Sequence, residues 1–150
     1  MSQRKRYIPD LKRDAAECDA NYIRILQLFP AMAEEDQREI GVWGTVADGT
    51  VVEVTVTERC PYTSMIRVRV SNDDDKPWIK WPTLEVRVYH DVKSAEVISF
   101  ERHRRFDYRY EYPNSELFLP DEKSQINRYF GELLRVCLAH GHAVQSIDLF

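Results

Sequence analysis

At 150 residues with a formal net charge of -4, the chain has the length of one domain and no long-range electrostatic pull toward nucleic acid or an anionic membrane. Its 43% hydrophobic and 31% charged residues supply a core and exclude a disordered chain. No apolar run approaches the roughly 20 residues that cross a bilayer, and Arg4-Lys5-Arg6 leads into Tyr7-Ile8-Pro9-Asp10 rather than the apolar centre of a secretion signal.

The pattern predicts one α+β domain over 1–150, with 1–9 as an N-terminal arm. From Asp10 to Phe29, apolar residues at Leu11, Ala15, Cys18, Tyr22, Ile25, Leu26 and Phe29 step by three and four, which predicts a helix with one buried stripe. Asp10 is its N-cap and Pro30 stops or kinks it. The acidic 33–39 stretch reads as a link, and Ile40 to Val46 as a first short strand.

The period then becomes two. Val52, Val54 and Val56 alternate with Glu53, Thr55 and Thr57; Ile66, Val68 and Val70 alternate with Arg67, Arg69 and Ser71; Leu84, Val86 and Val88 alternate with Glu85, Arg87 and Tyr89. Ala95 to Phe100 is a further strand. The connections are short and rich in turn residues, so an antiparallel meander of four to six strands is expected. After Pro120, Asp121 caps a second helix with apolar positions Ile126, Tyr129, Phe130, Leu133, Leu134, Cys137 and Leu138, which Gly141 ends. Both helices are expected on one face of the sheet. The other face would carry Glu53, Thr55, Arg67, Arg69, Glu85 and Arg87, the composition of a solvated face with cross-strand charge pairs.

Cys18, Cys60 and Cys137 are odd in number and widely spaced, which argues against a disulfide framework or a thiolate zinc knuckle and for a reducing cytoplasm. Cys137, His140 and His142 are ligand types, yet Cys137 lies on the buried stripe and His140 suits the negative end of the helix dipole, so no metal is expected. His90 and Asp91 end a strand, a position that can mount chemistry, but adjacent strand residues point to opposite faces and a turn explains them as well. With no GxSxG elbow, Gly-rich phosphate loop or HExxH, a non-enzyme without cofactor is favoured.

Segment 101–114 interleaves Arg102, Arg104, Arg105 and Arg109 with Phe106, Tyr108, Tyr110 and Tyr112 before Asn114. Such interleaving can stack bases and meet phosphates in single-stranded RNA, and it can equally cover a core edge or a protein partner; the acidic chain makes nucleic acid the weaker reading. Trp78 and Trp81, bracketed by Pro77 and Pro82, are either interface anchors or caps on the core.

Arg6-Tyr-Ile-Pro-Asp10, Val86-Arg-Val-Tyr-His-Asp91, Ala95-Glu-Val97, Arg109-Tyr-Glu-Tyr-Pro-Asn114, Asp121-Glu-Lys-Ser-Gln-Ile-Asn127 and Cys137-Leu-Ala-His-Gly141 run nearly end to end. Through these strings the chain resembles the YqiB-like family of gammaproteobacterial proteins, a domain family of unassigned function. Glu111 and Ser124 depart from the expected aspartate and histidine, and the Val46 to Ser71 hairpin is longer than in shorter relatives. The resemblance implies no catalytic residue or cofactor. It implies gene neighbours in ADP-ribose and cyclic-AMP hydrolysis, an association and not a mechanism.

Taken together, the residues predict a non-catalytic cytoplasmic binding or regulatory module for a protein partner or a small anionic nucleotide. Its candidate contacts are His90, Asp91, Arg102, Arg104, Arg105, Arg109, Tyr110, Tyr112, Asn114 and Lys123, with the helix N-terminus at Lys123 as an anion acceptor. The alternatives are a phosphate-ester hydrolase using His90 and Asp91, and a single-stranded RNA binder using 102–112.

Overall fold

The computed structural model describes residues 10–42, 50–72, 82–102 and 120–143. Helix α1 spans Leu11–Leu28, and its N-cap carboxylate, Asp10 Oδ1, accepts the Arg13 N–H at 3.0 Å. Its stripe buries Cys18, Tyr22, Ile25 and Leu28, but Leu11 is 76% exposed and Ala15 is exposed as well, so the expected stripe is buried only from Cys18 onward. Phe29 follows with no solvent exposure, donates its N–H to Ile25 O, and hands the chain to Pro30, which cannot continue the helix.

The strands are β1 Gln37–Val42, β2 Thr50–Arg59, β3 Thr63–Asn72, β4 Pro82–Tyr89 and β5 Ser94–Arg102, followed by α2 Pro120–His140 and β6 Gly141–Ala143. They form one antiparallel sheet in the order β5-β4-β3-β2-β1-β6. The meander is as the alternation predicts, with two corrections. Strand β1 begins three residues before Ile40, inside the expected link, because Gln37, Arg38 and Glu39 pair with Thr55, Val54 and Glu53. Strand β6 leaves α2 directly and pairs with Ile40 to Val42; three residues are too few for a readable period.

Helix α2 starts at Pro120, so Asp121 lies in its first turn and is not its cap. Proline at the first helical position has no N–H to leave unpaired. The helices cover one face of the sheet: Ile25, Phe29, Phe130, Leu134 and Cys137 join Val52, Val54, Ile66, Val68, Leu84, Val86, Val88 and Val97 in one core.

Where the helices cross, the contact is polar. Asn21, fully buried, donates from Nδ2 to Asn127 O at 3.0 Å, while Asn127 Oδ1 accepts the Val97 N–H at 2.9 Å and so ties α2 to the outer edge of β5. Ser124 Oγ donates to Asp14 Oδ1 at 2.7 Å, and Arg24 binds Asn21 Oδ1 and Glu17 Oε1 at 2.7 and 3.2 Å. Gly131 makes room for this network: a Cβ there would collide with Glu17 Oε1 and crowd Asn21 Oδ1 at 2.9 Å. Such networks fix helix register because each buried member left unpaired is costly.

Candidate functional site

The β2–β3 and β4–β5 turns meet at one end of the sheet, where His90 donates its backbone N–H to Tyr62 O at 2.8 Å. Alternation along β4 sends Val86, Val88 and then His90 toward the helices, and Arg87 and Tyr89 toward the open face. On the helix side, His90 Nε2 lies 2.8 Å from Ser64 Oγ, and Nδ1 lies 3.4 Å from the Tyr22 hydroxyl, with the two rings edge to face at 5.9 Å. Ser64 and Tyr22 are themselves buried. A neutral imidazole offers one donor and one acceptor, and two hydroxyls can rotate to match either tautomer.

Nucleophile, base and orienting group are the parts of a hydrolytic triad. Here, however, the serine is buried, and no carboxylate among the described residues meets His90. The arrangement locks the β4–β5 turn onto β3 and α1. Asp91 stands exposed in that turn, beside Lys93 with a φ of 55°. His90 faces the helix layer and Asp91 faces solvent, so the structure does not bring this pair together.

On the open side, a β-bulge decides the geometry. Val52, Val54 and Val56 face the core, and uninterrupted alternation would send Glu58 there too. The register shift between Val56 and Glu58 places Glu58 opposite Met65 instead, on the open face. Thr57 Oγ1 donates to Met65 O at 3.2 Å within the bulge. Glu58 and Cys60 thereby form one wall of a cavity of about 250 Å³. Its floor is two registered cross-strand pairs, Thr63 with Tyr89 and Met65 with Arg87. Outside the cavity, the turns carry two of the most exposed large apolar side chains, Tyr62 at 68% and Val92 at 65%.

Elsewhere on the open face Arg67 meets Glu85 at 3.4 Å with both side chains well solvated, and Glu53 lies opposite Arg69, the cross-strand charge pattern the sequence suggests. Pairs of this kind contribute little stability. Lys123, in the first turns of α2, is held by Glu96 at 2.8 Å. Both flank Cys18, whose thiol burial, and then the Glu96 charge, push up to about 11 against the opposing pull of Lys123. Burial alone pushes Cys137 up to about 11. Among the described residues no group of three or more His, Cys, Asp or Glu is placed to hold a metal ion.

Arg102 ends β5 opposite Pro82, at the far end of the β4–β5 hairpin from His90. Eight strand residues at about 3.3 Å each put roughly 25 Å between them. Arg104, Arg105, Arg109, Tyr110, Tyr112 and Asn114 lie outside the described residues, as do Trp78 and Trp81. The sequence alone does not mark the cavity residues or the partners of His90 as a site, since they converge only once the bulge and the two turns are in place. The one local signal was Pro61, which marks the β2–β3 turn.

Relatives agree with the resemblance. The chain belongs to the family described as "Protein of unknown function (DUF1249)", whose model matches residues 24–143 and so spans the whole cavity, Ser64 and His90. It is 36% identical over 137 residues to "Uncharacterized protein YqiB" of Escherichia coli K12, covering 91% of this chain and 94% of that one. The same figures hold for YqiB of E. coli strains O6:H1 and O157:H7. No solved structure matches.

Proposed function

We propose that this protein is a non-catalytic binding module that recognises another cytoplasmic protein at the turn end of its sheet. The observation that carries the reading is a pair of exposed apolar side chains, Tyr62 and Val92, on two turns that are joined by the His90 N–H to Tyr62 O bond, beside a cavity on the adjoining strand ends. Exposed aromatic and aliphatic groups on a rigid support are what a protein interface uses as anchors. The rigid support is present: His90 is held at both ring nitrogens and at its backbone N–H.

Three points weigh against the other readings. The cavity, at about 250 Å³, is smaller than the roughly 300–1,000 Å³ of sites that enclose drug-sized ligands, which disfavours a nucleotide as the occupant. Lys123 and His90, the proposed anion and phosphate contacts, are both engaged by internal partners. Asp91 faces away from His90, which disfavours their use as a hydrolytic pair. The free thiols of Cys18, Cys60 and Cys137 fit a reducing compartment, and none of the described helices is long and apolar enough to cross a membrane.

The test is affinity capture with the full chain and with a Tyr62→Ala/Val92→Asp variant. The expected result is a partner retained by the parent chain and lost by the variant at an unchanged melting temperature, because neither side chain is in the core. Equal retention by both chains contradicts the reading.

A further inference from the structure

The cavity at the turn end carries opposite charges that are not paired with each other. Arg87 projects from β4, and Glu58 is delivered by the bulge from β2. Neither forms an ion pair among the described residues. Glu96, which faces Arg87 in register, has its carboxylate on Lys123 at 2.8 Å. Among the described residues, Glu58 Oε1 receives only the weak Cys60 S–H donor at 3.5 Å. In register Met65 alone lies between the two charges, and Thr63 and Tyr89 line the next cross-strand row of the cavity.

A cation and an anion on opposite strands of one small cavity, with an apolar floor between them, complement a ligand that carries both charges and an apolar body. Nucleotides, phosphates and fatty acids have no cation for Glu58, and polyamines have no anion for Arg87. We propose that the cavity binds a free α-amino acid with an apolar side chain. Arg87 donates from its guanidinium to the carboxylate, Glu58 accepts from the ammonium, and the side chain lies on Met65 and Tyr89. Guanidinium and carboxylate match in geometry, and both contacts are charge-assisted. The bulge supports the assignment independently of composition, because such irregularities recur where a side chain is re-aimed toward a ligand. This inference rests on the turn end being a recognition site and names a small ligand for it.

The experiment is calorimetric titration of the full-length protein with L-leucine, N-acetyl-L-leucine and L-leucinamide. Both protein charges are partly solvated, so a Kd on the order of 1 mM is expected for L-leucine. Blocking the ammonium or the carboxylate weakens binding by about tenfold or more. Arg87→Gln abolishes the preference for L-leucine over the amide, and Glu58→Gln abolishes the preference over the N-acetyl compound. Both side chains are exposed, so the variants are expected to remain folded. The proposal is overturned by the absence of saturable heat up to about 20 mM, by equal affinity for the three compounds, or by binding that both variants leave unchanged. If the Tyr62 and Val92 variant still loses its protein partner in any of those cases, the docking reading stands and only the amino-acid assignment fails.

Discussion

Single residues at the turn end differ sharply in what they hold. His90→Phe keeps an aromatic ring but leaves Ser64 Oγ and the Tyr22 hydroxyl without their partner, both on buried residues. Chemical denaturation should register a loss of roughly 1–3 kcal/mol, whereas Asp91→Asn in the exposed turn should stay within about 0.5 kcal/mol. Strand alternation separates His90 from Asp91, but it does not show that Ser64 and Tyr22 meet His90 on the helix side.

The cysteines were better legible: Cys18 and Cys137 fall on helical stripes, and both are buried. Their thiols, pushed up from 9.0 to about 11, stay protonated in the folded chain at pH values where the unfolded chain ionises. The folded state therefore binds more protons between pH 9 and 11, and stability falls as pH rises through that window. Stability should be nearly unaffected by these groups below pH 9 and decline above it by roughly 2 kcal/mol per thiol by pH 11. A Cys18→Ser/Cys137→Ala variant should lose that decline.

At the level of elements, hydrophobic period located both helices and the strands β2 to β5, because each buries one face against a continuous core. Period could not show how the elements are joined, since the joints are polar. Asn21 and Asn127 sit among the helix positions without adding to either stripe, yet they fasten α2 to α1 and to the edge of β5. Asn127→Ala should cost roughly 1–3 kcal/mol by leaving the Val97 N–H unpaired.

Gly131→Ala is the sharper case. Alanine favours a helix interior by about 1 kcal/mol over glycine, but here its Cβ displaces the Glu17 carboxylate, which Arg24 and Arg135 hold at 3.2 and 3.9 Å. A net loss of about 1–3 kcal/mol in urea denaturation is expected, and a gain would mean that Glu17 swings aside freely. The bulge at Thr57 was equally illegible. One extra residue in an alternating strand is detectable only from the register of its partner, and that single residue moves Glu58 from the core face to the cavity.

For the molecule as a whole, the fold assigns its two sheet faces and its ends different work. The helices seal one face; the other bears solvated charge pairs; the end where the β2–β3 and β4–β5 turns meet carries exposed apolar groups on a hydrogen-bonded frame. The sequence pointed toward strand ends, but it could not say which strand ends adjoin, and Arg102 proves to lie at the opposite end of the hairpin from His90.

The most direct measurement is site-specific photocrosslinking in the intact cell, with a benzoylphenylalanine photoprobe introduced at position 62, at position 92 or at position 11, the last on the exposed first turn of α1. If the turn end is the docking surface, positions 62 and 92 should give the same discrete adduct, and position 11 should give none. Adducts of equal yield from all three positions, or one from position 11 alone, would contradict it.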